Sequence, residues 1–522
     1  MTNLKKETGV HTLTQGLRRY LYLTAATTGA AILIVEILGA KMLAPYFGTS
    51  HFVWTAQITA TLLALAVGYY LGGWFADRSQ SLGRLYTFII GAALYLAIVV
   101  RICEPMAYAC LKFKLALGSL CASLLFFFVP LTLLATVGPY VIRALTLSVQ
   151  AVGGQVGRLS AISTLGSVAG CLLIGYVLIP NLPNSVTMLV TAGILILISL
   201  IYFVVWGWDS RDKVAGQIGI ILTILAGIIA ARHQITLPGD YWIEVVKQNS
   251  SFGQMQVIQT VDGDRRYYLN DFLTQNTYDP NEKKSISLFT YMLKGLAEIY
   301  TPKIERVLCI GMGVGIVPMA FAHEGVKVDV VEINPSIVPL ATRFFNFEPD
   351  KVSLTIGDGR HYLTQTPHQY DAIILDAFLG DSSPSHLITQ QSFTSMKKLL
   401  KPEGVLVMNS FSDFKSGKDF FCGSLFKTMS DVFKSVVIHD GDNGNVFFVA
   451  SAKNALERMR QPNLQGVHSH CFEEVKSTYD RFKKPDASAG IILTDDYNPV
   501  DFFDAKNRES LRTSLAWGMR GK

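Results

Sequence analysis

Long apolar runs dominate the chain before residue 232, and nothing else in the sequence restricts the fold as severely. They are Tyr20 to Leu43, Val53 to Phe75, Leu85 to Val100, Leu115 to Val137, Leu159 to Ile179, Val186 to Trp206 and Gly216 to Ala231. A helix crossing the hydrocarbon core needs about 20 apolar residues, because no water is there to satisfy its backbone. Most of the runs are near that length, and Leu85 to Val100 and Gly216 to Ala231 are the shortest. With half of its 522 residues hydrophobic and 16% charged, the chain is too apolar for an ordinary cytosolic enzyme and long enough for two or three domains. A transmembrane helical domain is therefore expected over residues 1–232, with six or seven spans. The first run is long and lacks a small-residue cleavage site, so no cleavable signal peptide is expected.

Basic residues of the short loops orient these spans. With the N-terminus inside, Lys5, Lys6, Arg18, Arg19, Arg78, Arg84, Arg143, Arg158, Arg211 and Lys213 are cytoplasmic, and Arg101, Lys112 and Lys114 are outside. Seven crossings would leave the remainder of the chain outside. Six crossings, with Gly216 to Ala231 lying in the interface, keep it cytoplasmic. Within the first span Glu36 invites a functional or helix-pairing role, whereas Lys41 is close enough to an end to snorkel. Gly68, Gly72 and Gly73, and again Gly166, Gly170 and Gly175, offer small faces for close helix packing.

Beyond the membrane part, Val307 to Ile310 reads as a buried strand that runs into Gly311-Met312-Gly313-Val314-Gly315 and then a helical pattern from Ile316 to His323. Glycines allow the sharp turn and a close ligand approach, and the helix start presents free N–H groups. The next strand, Val328 to Val331, ends on Glu332, placed to accept from ribose hydroxyls. A third, Val352 to Ile356, leads to Gly357-Asp358-Gly359-Arg360, and a fourth lies in Tyr370-Asp371-Ala372-Ile373-Ile374-Leu375-Asp376. In an open α/β sheet these strand ends line one crevice, so Gly311, Gly313, Gly315, Glu332, Asp358 and Asp376 are expected to converge on a nucleoside site.

These motifs make residues from about 250 to 450 resemble the spermidine synthase family of aminopropyltransferases, with the class I methyltransferase fold. Val331-Glu332-Ile333-Asn334-Pro335 matches V-E-I-D-P, Gly357 to Leu363 matches the D-G-R/x-F-L element, and Tyr370 to Asp376 matches Y-D-x-I-I-x-D. The resemblance implies that Glu332 holds the ribose, that Asp358 and Gly359 hold the adenine edge, and that Asp376 sits beside the transferring centre. It also implies S-adenosylmethionine or its decarboxylated form as co-substrate, or methylthioadenosine as ligand, and a small-molecule amine as acceptor. Two positions depart from the family. Val314 stands near its G-G-G-D-G acid, and Leu379 stands where D-S-x-D-P has its proton acceptor; Asp381 is the nearby substitute, since an attacking amine must lose a proton.

A small β-domain and linker are expected over residues 233–285, with strands at Ile243 to Val246, Gln254 to Thr260 and Arg265 to Asn270 and a turn at Asp262-Gly263-Asp264. By the resemblance this is the family's hairpin cap, so Gln254, Gln275 and Tyr291 are candidate substrate-binding residues. The Rossmann-like domain is expected over 286–455 and a helical and loop extension over 456–522, with a helix near Lys453 to Arg460. Asp495 and Asp496 resemble a T-D-D-x-x-P ending with a lid or packing role. The layout of the spans, with Asp77-Arg78 after the second, resembles membrane-fused spermidine synthase-like proteins. The whole is thus a multi-pass α-helical membrane domain followed by a small β-hairpin domain and an α/β Rossmann-like methyltransferase-type domain.

Seven cysteines without C-x-x-C, and histidines such as His468 and His470 without ligand spacing, indicate neither a metal nor disulfides. No basic stripe with interleaved aromatics suggests nucleic acid, and much of the net charge of +6 falls in loops facing anionic lipid. The expected partners are the lipid bilayer of an inner or plasma membrane, a small amine and a second copy in a homo-oligomer. Three functions stay open: an aminopropyltransferase with Asp381 or Asp376 as base, an S-adenosylmethionine-dependent methyltransferase acting on a membrane-borne substrate, and a transporter or sensor with a nucleoside-binding domain.

Overall fold

The computed structural model describes residues 13–48, 51–78, 81–146, 152–207, 242–271, 273–378, 383–415, 417–486 and 490–503, together with residues 221, 224, 228 and 488. The chain divides into two compact units, Met1–Ala44 with Phe52–Ile235, and Pro45–His51 with Thr236–Lys522.

In the first unit six helices are long and apolar enough to cross a membrane: Gln15–Phe47, Phe52–Arg78, Leu82–Cys110, Ala116–Leu145, Val152–Leu178 and Asn184–Val205. They cover the first six apolar runs, and several extend beyond them. Leu85 to Val100, for example, is the apolar middle of a helix that continues through Arg101, Glu104 and Pro105. Hydropathy marks the part of a helix that avoids water, not its full hydrogen-bonded length. Of Gly216 to Ala231 only residues 221, 224 and 228 are described, and these are helical. A β-carbon on Gly68 would overlap Thr132 and Ala135, one on Gly72 would overlap Thr136, and those on Gly166 and Gly170 would overlap Ala26 and Ala30. These four glycines let helix backbones approach closely, as their spacing predicts. Gly73 and Gly175 meet nothing within 4 Å among the described residues.

The second unit begins with a five-stranded antiparallel sheet in sequence order, β1 (Trp242–Ser250), β2 (Gly253–Thr260), β3 (Arg266–Asn270), β4 (Leu273–Asp279) and β5 (Lys284–Ser285). Gly263 turns the β2–β3 hairpin with a positive φ of 81°, and the Asp262 carboxylate accepts from the Asp264 amide at 3.0 Å. β4 escapes sequence reading because Thr274, Gln275, Asn276 and Thr277 are polar on both faces of the strand.

The remaining strands form one sheet of order β13-β11-β12-β10-β9-β6-β7-β8. They are β6 (Arg306–Ile310), β7 (Lys327–Glu332), β8 (Ser353–Ile356), β9 (Tyr370–Leu375), β10 (Leu400–Phe411), β11 (Ser435–Asp440), β12 (Asn445–Ser451) and β13 (Phe482–Lys483). The run from β8 to β10 is parallel, and β12, β11 and β13 add antiparallel pairs. Apolar residues pack on both of its faces, one set around Val307, Cys309 and Ile374, the other around Leu308, Ile310 and Ile373. Burial on both sides explains why the inner strands β6 and β9 read as largely apolar runs, whereas the edge strand β8 is mostly exposed. At the amino ends, buried Asp329 accepts from Arg306 at 2.9 and 3.1 Å and from the Tyr370 hydroxyl at 2.8 Å.

Lys453 to Arg460 corrects one expectation, for it is not helical. Its backbone is drawn against the neighbouring chain instead: the Met459 amide donates to the Ile299 carbonyl at 2.7 Å, and the Arg460 guanidinium donates to the carbonyls of Thr301 and Pro302. Non-local partners outbid a weak local helical pattern.

Candidate functional site

Strand order decides where a site can form. The chain runs β6, β7, β8 in one direction across the sheet and then crosses to β9 on the other side of β6. A crevice opens at the carboxyl ends where the order reverses. Ile310 of β6 lies beside Leu375 of β9 and Val331 of β7, so the residues that follow these strands are brought together. There a cavity of about 440 Å³ opens, a volume suited to a nucleoside-sized ligand.

Its floor is the glycine turn. Gly311, Gly313 and Gly315 have φ of 90°, 53° and 86°, the left-handed region that glycine enters without strain. A β-carbon on Gly311 would overlap the Asp376 backbone, and one on Gly315 would overlap the Phe347 ring. Gly315 starts the helix Ile316–Ala322. The buried Glu332 carboxylate accepts from the Met312 amide at 3.0 Å and from the Asn334 amide at 2.8 Å. It clamps the turn to the end of β7 and still faces the cavity. Burial pushes its pKa up, against the opposing amides of Asn334, Met312 and Ile333.

Asp358 caps the helix Gly359–Gln365, accepting from the His361 amide at 2.9 Å. Its other oxygen meets His386 Nε2 at 2.9 Å. Burial alone would raise its pKa, but the His361 amide and the His386 imidazole outweigh it and hold the carboxyl below its ordinary value. Arg360 anchors the same segment through the His386 carbonyl, Thr389 and Asp495. Asp495 also accepts from Thr389 at 2.6 Å, so it packs the C-terminal segment onto the wall of the site.

Asp376, just past β9, is a second carboxyl of the cavity raised by its surroundings. Burial pushes its carboxyl up to about 6, opposed among the described residues by the Asn409 side chain, whose Nδ2 donates to Oδ1 at 3.0 Å. Asn409 ends the apolar part of β10, and Asn445 opens β12 opposite Phe411. Both asparagines line the cavity, and the Oδ1 of each is buried without a hydrogen-bond partner. Two acceptors and a carboxylate on one wall suit a ligand rich in N–H groups.

The cavity brings together Gly311, Gly313, Glu332, Asp358, Gly359, Asp376 and Gln275 of the sequence candidates. Gly315 stands one step behind its lining. Gln254 does not line it, because it pairs with Asn249 at the end of the β1–β2 hairpin, donating to Asn249 Oδ1 at 3.2 Å. Tyr291 is also outside the lining: its hydroxyl donates to the Ser285 carbonyl at 2.6 Å and accepts from the His468 amide at 3.3 Å. Asp381 and Leu379 lie outside the described residues. Sequence reading missed His386, Asn409 and Asn445. A polar residue at the end of an unbroken apolar strand was the available signal for Asn409.

Away from the cavity, one oxygen or nitrogen from each of Asp279, Glu282 and His468 lies within 4.8 Å of the others. His468 Nδ1 accepts from the His470 amide at 3.1 Å. The proton of the neutral ring is then on Nε2, which donates to Asp279 at 3.2 Å. The arrangement latches the C-terminal segment to β4.

Comparison with known proteins shows that residues 287–439 match the spermine/spermidine synthase domain. A polyamine aminopropyltransferase of Vibrio vulnificus is 40% identical over 144 residues, 26% of this chain and 48% of that protein. A human eEF1A lysine and N-terminal methyltransferase is 32% identical over 139 residues, 23% of this chain and 20% of that protein. The chain thus spans about half the length of the bacterial relative and less of the human one. Among solved structures, a spermidine synthase in complex with the transition-state analogue AdoDATO aligns with 56% of this chain and 98% of its own, at 16% identity and a TM-score of 0.37.

Proposed function

We propose, for a chain whose residues 287–439 match the spermine/spermidine synthase domain, that it is a membrane-bound aminopropyltransferase. It moves the aminopropyl group of decarboxylated S-adenosylmethionine to a polyamine acceptor and releases methylthioadenosine. The observation that carries this reading is Asp376. It is a carboxylate held by Asn409 at the mouth of the glycine turn, with its pKa raised by burial to about 6, in a cavity it shares with Glu332 and Asp358.

Each oxygen of Glu332 keeps a lone pair beyond its amide bond, and these accept from the two ribose hydroxyls. Asp358 and Gly359 border the adenine. The acceptor nitrogen attacks the methylene carbon next to the sulfonium, and the C–S bond breaks as that carbon–nitrogen bond forms. Sulfur keeps the electron pair and leaves as the neutral thioether. The extra proton on nitrogen passes to Asp376, which is ionised above about pH 6 and poised for the task. The free Oδ1 atoms of Asn409 and Asn445 accept from the ammonium groups of the acceptor. Asp381 would serve beside Asp376, in the segment that follows β9. The six apolar helices hold the enzyme in the membrane, with this unit on the cytoplasmic side where the donor is made.

A second reading, a methyltransferase using S-adenosylmethionine itself, is favoured by Val314. It is buried in the turn where family members carry an acid that suits the decarboxylated donor's amine. The test is calorimetry on the full chain in detergent with S-adenosylmethionine, its decarboxylated form and methylthioadenosine, using Glu332→Ala as control. Tighter binding of the decarboxylated donor, with methylthioadenosine formed when putrescine is added, supports the transferase. Preference for S-adenosylmethionine supports the second reading. No binding by any of the three refutes both.

A further inference from the structure

Inside the first unit, one level of the helix bundle holds buried polar groups with no hydrogen-bond partner among the described residues. Gln57 has no exposed surface, yet neither its Nε2 nor its Oε1 has a hydrogen-bond partner. Thr61, one turn further along the same helix, is also buried with an unpartnered hydroxyl, and so is Ser123. Some buried hydroxyls of these helices return to their own backbone, although those of Thr132 and Thr187 do not. Thr24, Thr28, Thr191 and Ser199 each donate to the carbonyl four residues back. Thr61 and Ser123 forgo that bond, although helix geometry offers it.

Three helices meet here. A β-carbon on Gly39 would overlap both the Gln57 amide and the Phe127 ring, so this glycine makes room for the amide. Glu36 lies one turn from Gly39, Thr61 one turn from Gln57, and Ser123 one turn from Phe127. Glu36 is partly buried, and no hydrogen bond or ion pair joins it to a described residue. Lys41, two residues from Gly39, falls on the opposite side of the helix. Directly after Ser123 the helix widens into a π-helical turn, Leu124–Phe128, a feature that recurs at functional sites. Unpaired acids and amides are costly inside a membrane bundle, and here they share one level.

We propose that Glu36, Gln57, Thr61 and Ser123 form a binding site, within the membrane unit, for a small molecule bearing a protonated amine. Glu36 supplies the charge. Gln57 Oε1 and the two hydroxyls accept N–H bonds, and the Phe127 ring faces the carbon chain and the cation. The site is separate from the cavity of the second unit and does not depend on the reaction proposed there.

The probe is radiolabelled putrescine, titrated by equilibrium binding onto the full chain in lipid nanodiscs. Glu36→Gln and Gln57→Leu should each weaken one amine site by about tenfold or more, while binding of methylthioadenosine stays unchanged. Asp376→Asn should leave that amine site intact. Putrescine binding that ignores both membrane substitutions, or that disappears with Asp376→Asn, overturns the proposal. So does a chain that binds no putrescine, for the level then holds only water. If Gln57→Leu fails to yield monodisperse protein, the near-isosteric Glu36→Gln carries the same expectation alone.

Discussion

Asp376→Asn separates what the buried carboxylate does for the reaction from what it costs the fold. The group titrates at about 6 in place of its ordinary 3.8 because burial disfavours its charge. A shift of about 2 units corresponds to about 3 kcal/mol. The sign follows from proton counts: between pH 4 and 6 the native state holds a proton that the unfolded chain has released, so stability falls as pH rises through that window. Above pH 6 the full cost is present, and below pH 4 it is absent. Asparagine has nearly the same shape and still accepts from Asn409, so the variant should gain about 3 kcal/mol at pH 8. That is about 6–12 °C in the transition of the second unit. Scanning calorimetry of the full chain in detergent at pH 4, 6 and 8 reads this directly. The same variant should lose about 10²–10⁴-fold in turnover if Asp376 takes the proton. A wild type and variant with equal transitions at pH 8 would refute the electrostatic reasoning, whatever the activity did.

Asn409→Leu removes the one bond that lowers the Asp376 pKa, so the acid limb of the pH–rate profile should move to higher pH; an unmoved limb would mean that Asp376 does not control it. Gly315→Ala forces a β-carbon into a residue with φ of 86° and against the Phe347 ring, and should cost at least about 1–3 kcal/mol in thermal unfolding. Asp329→Ala leaves Arg306 half-buried and unpaired at the foot of the sheet and should cost about 3–5 kcal/mol, with ligand affinity unchanged because the cavity is at the other end of the strands.

Some of this was written in local pattern. Apolar runs announce helices and doubly buried strands because burial acts residue by residue, and the glycines of the turn are needed by the backbone where they stand. Glu332, Asp358 and Asp376 were legible as candidates because each ends or closely follows a strand, and parallel strands put such positions on one edge. What the sequence could not determine was which other side chains reach that edge. Asn409 meets Asp376 because β10 lies beside β9, Asn445 reaches the same cavity because β12 pairs with β10, and His386 meets Asp358 across 28 residues. Gln254 and Tyr291 were drawn elsewhere by the β1–β2 hairpin and by the His468 latch. In the first unit, Glu36 stood out in the sequence as a charge among apolar residues, whereas Gln57, Thr61 and Ser123 gain meaning only from the helix crossing at Gly39. Local chemistry sets the element and its ends; convergence of distant side chains depends on packing and register, which no short stretch of sequence contains.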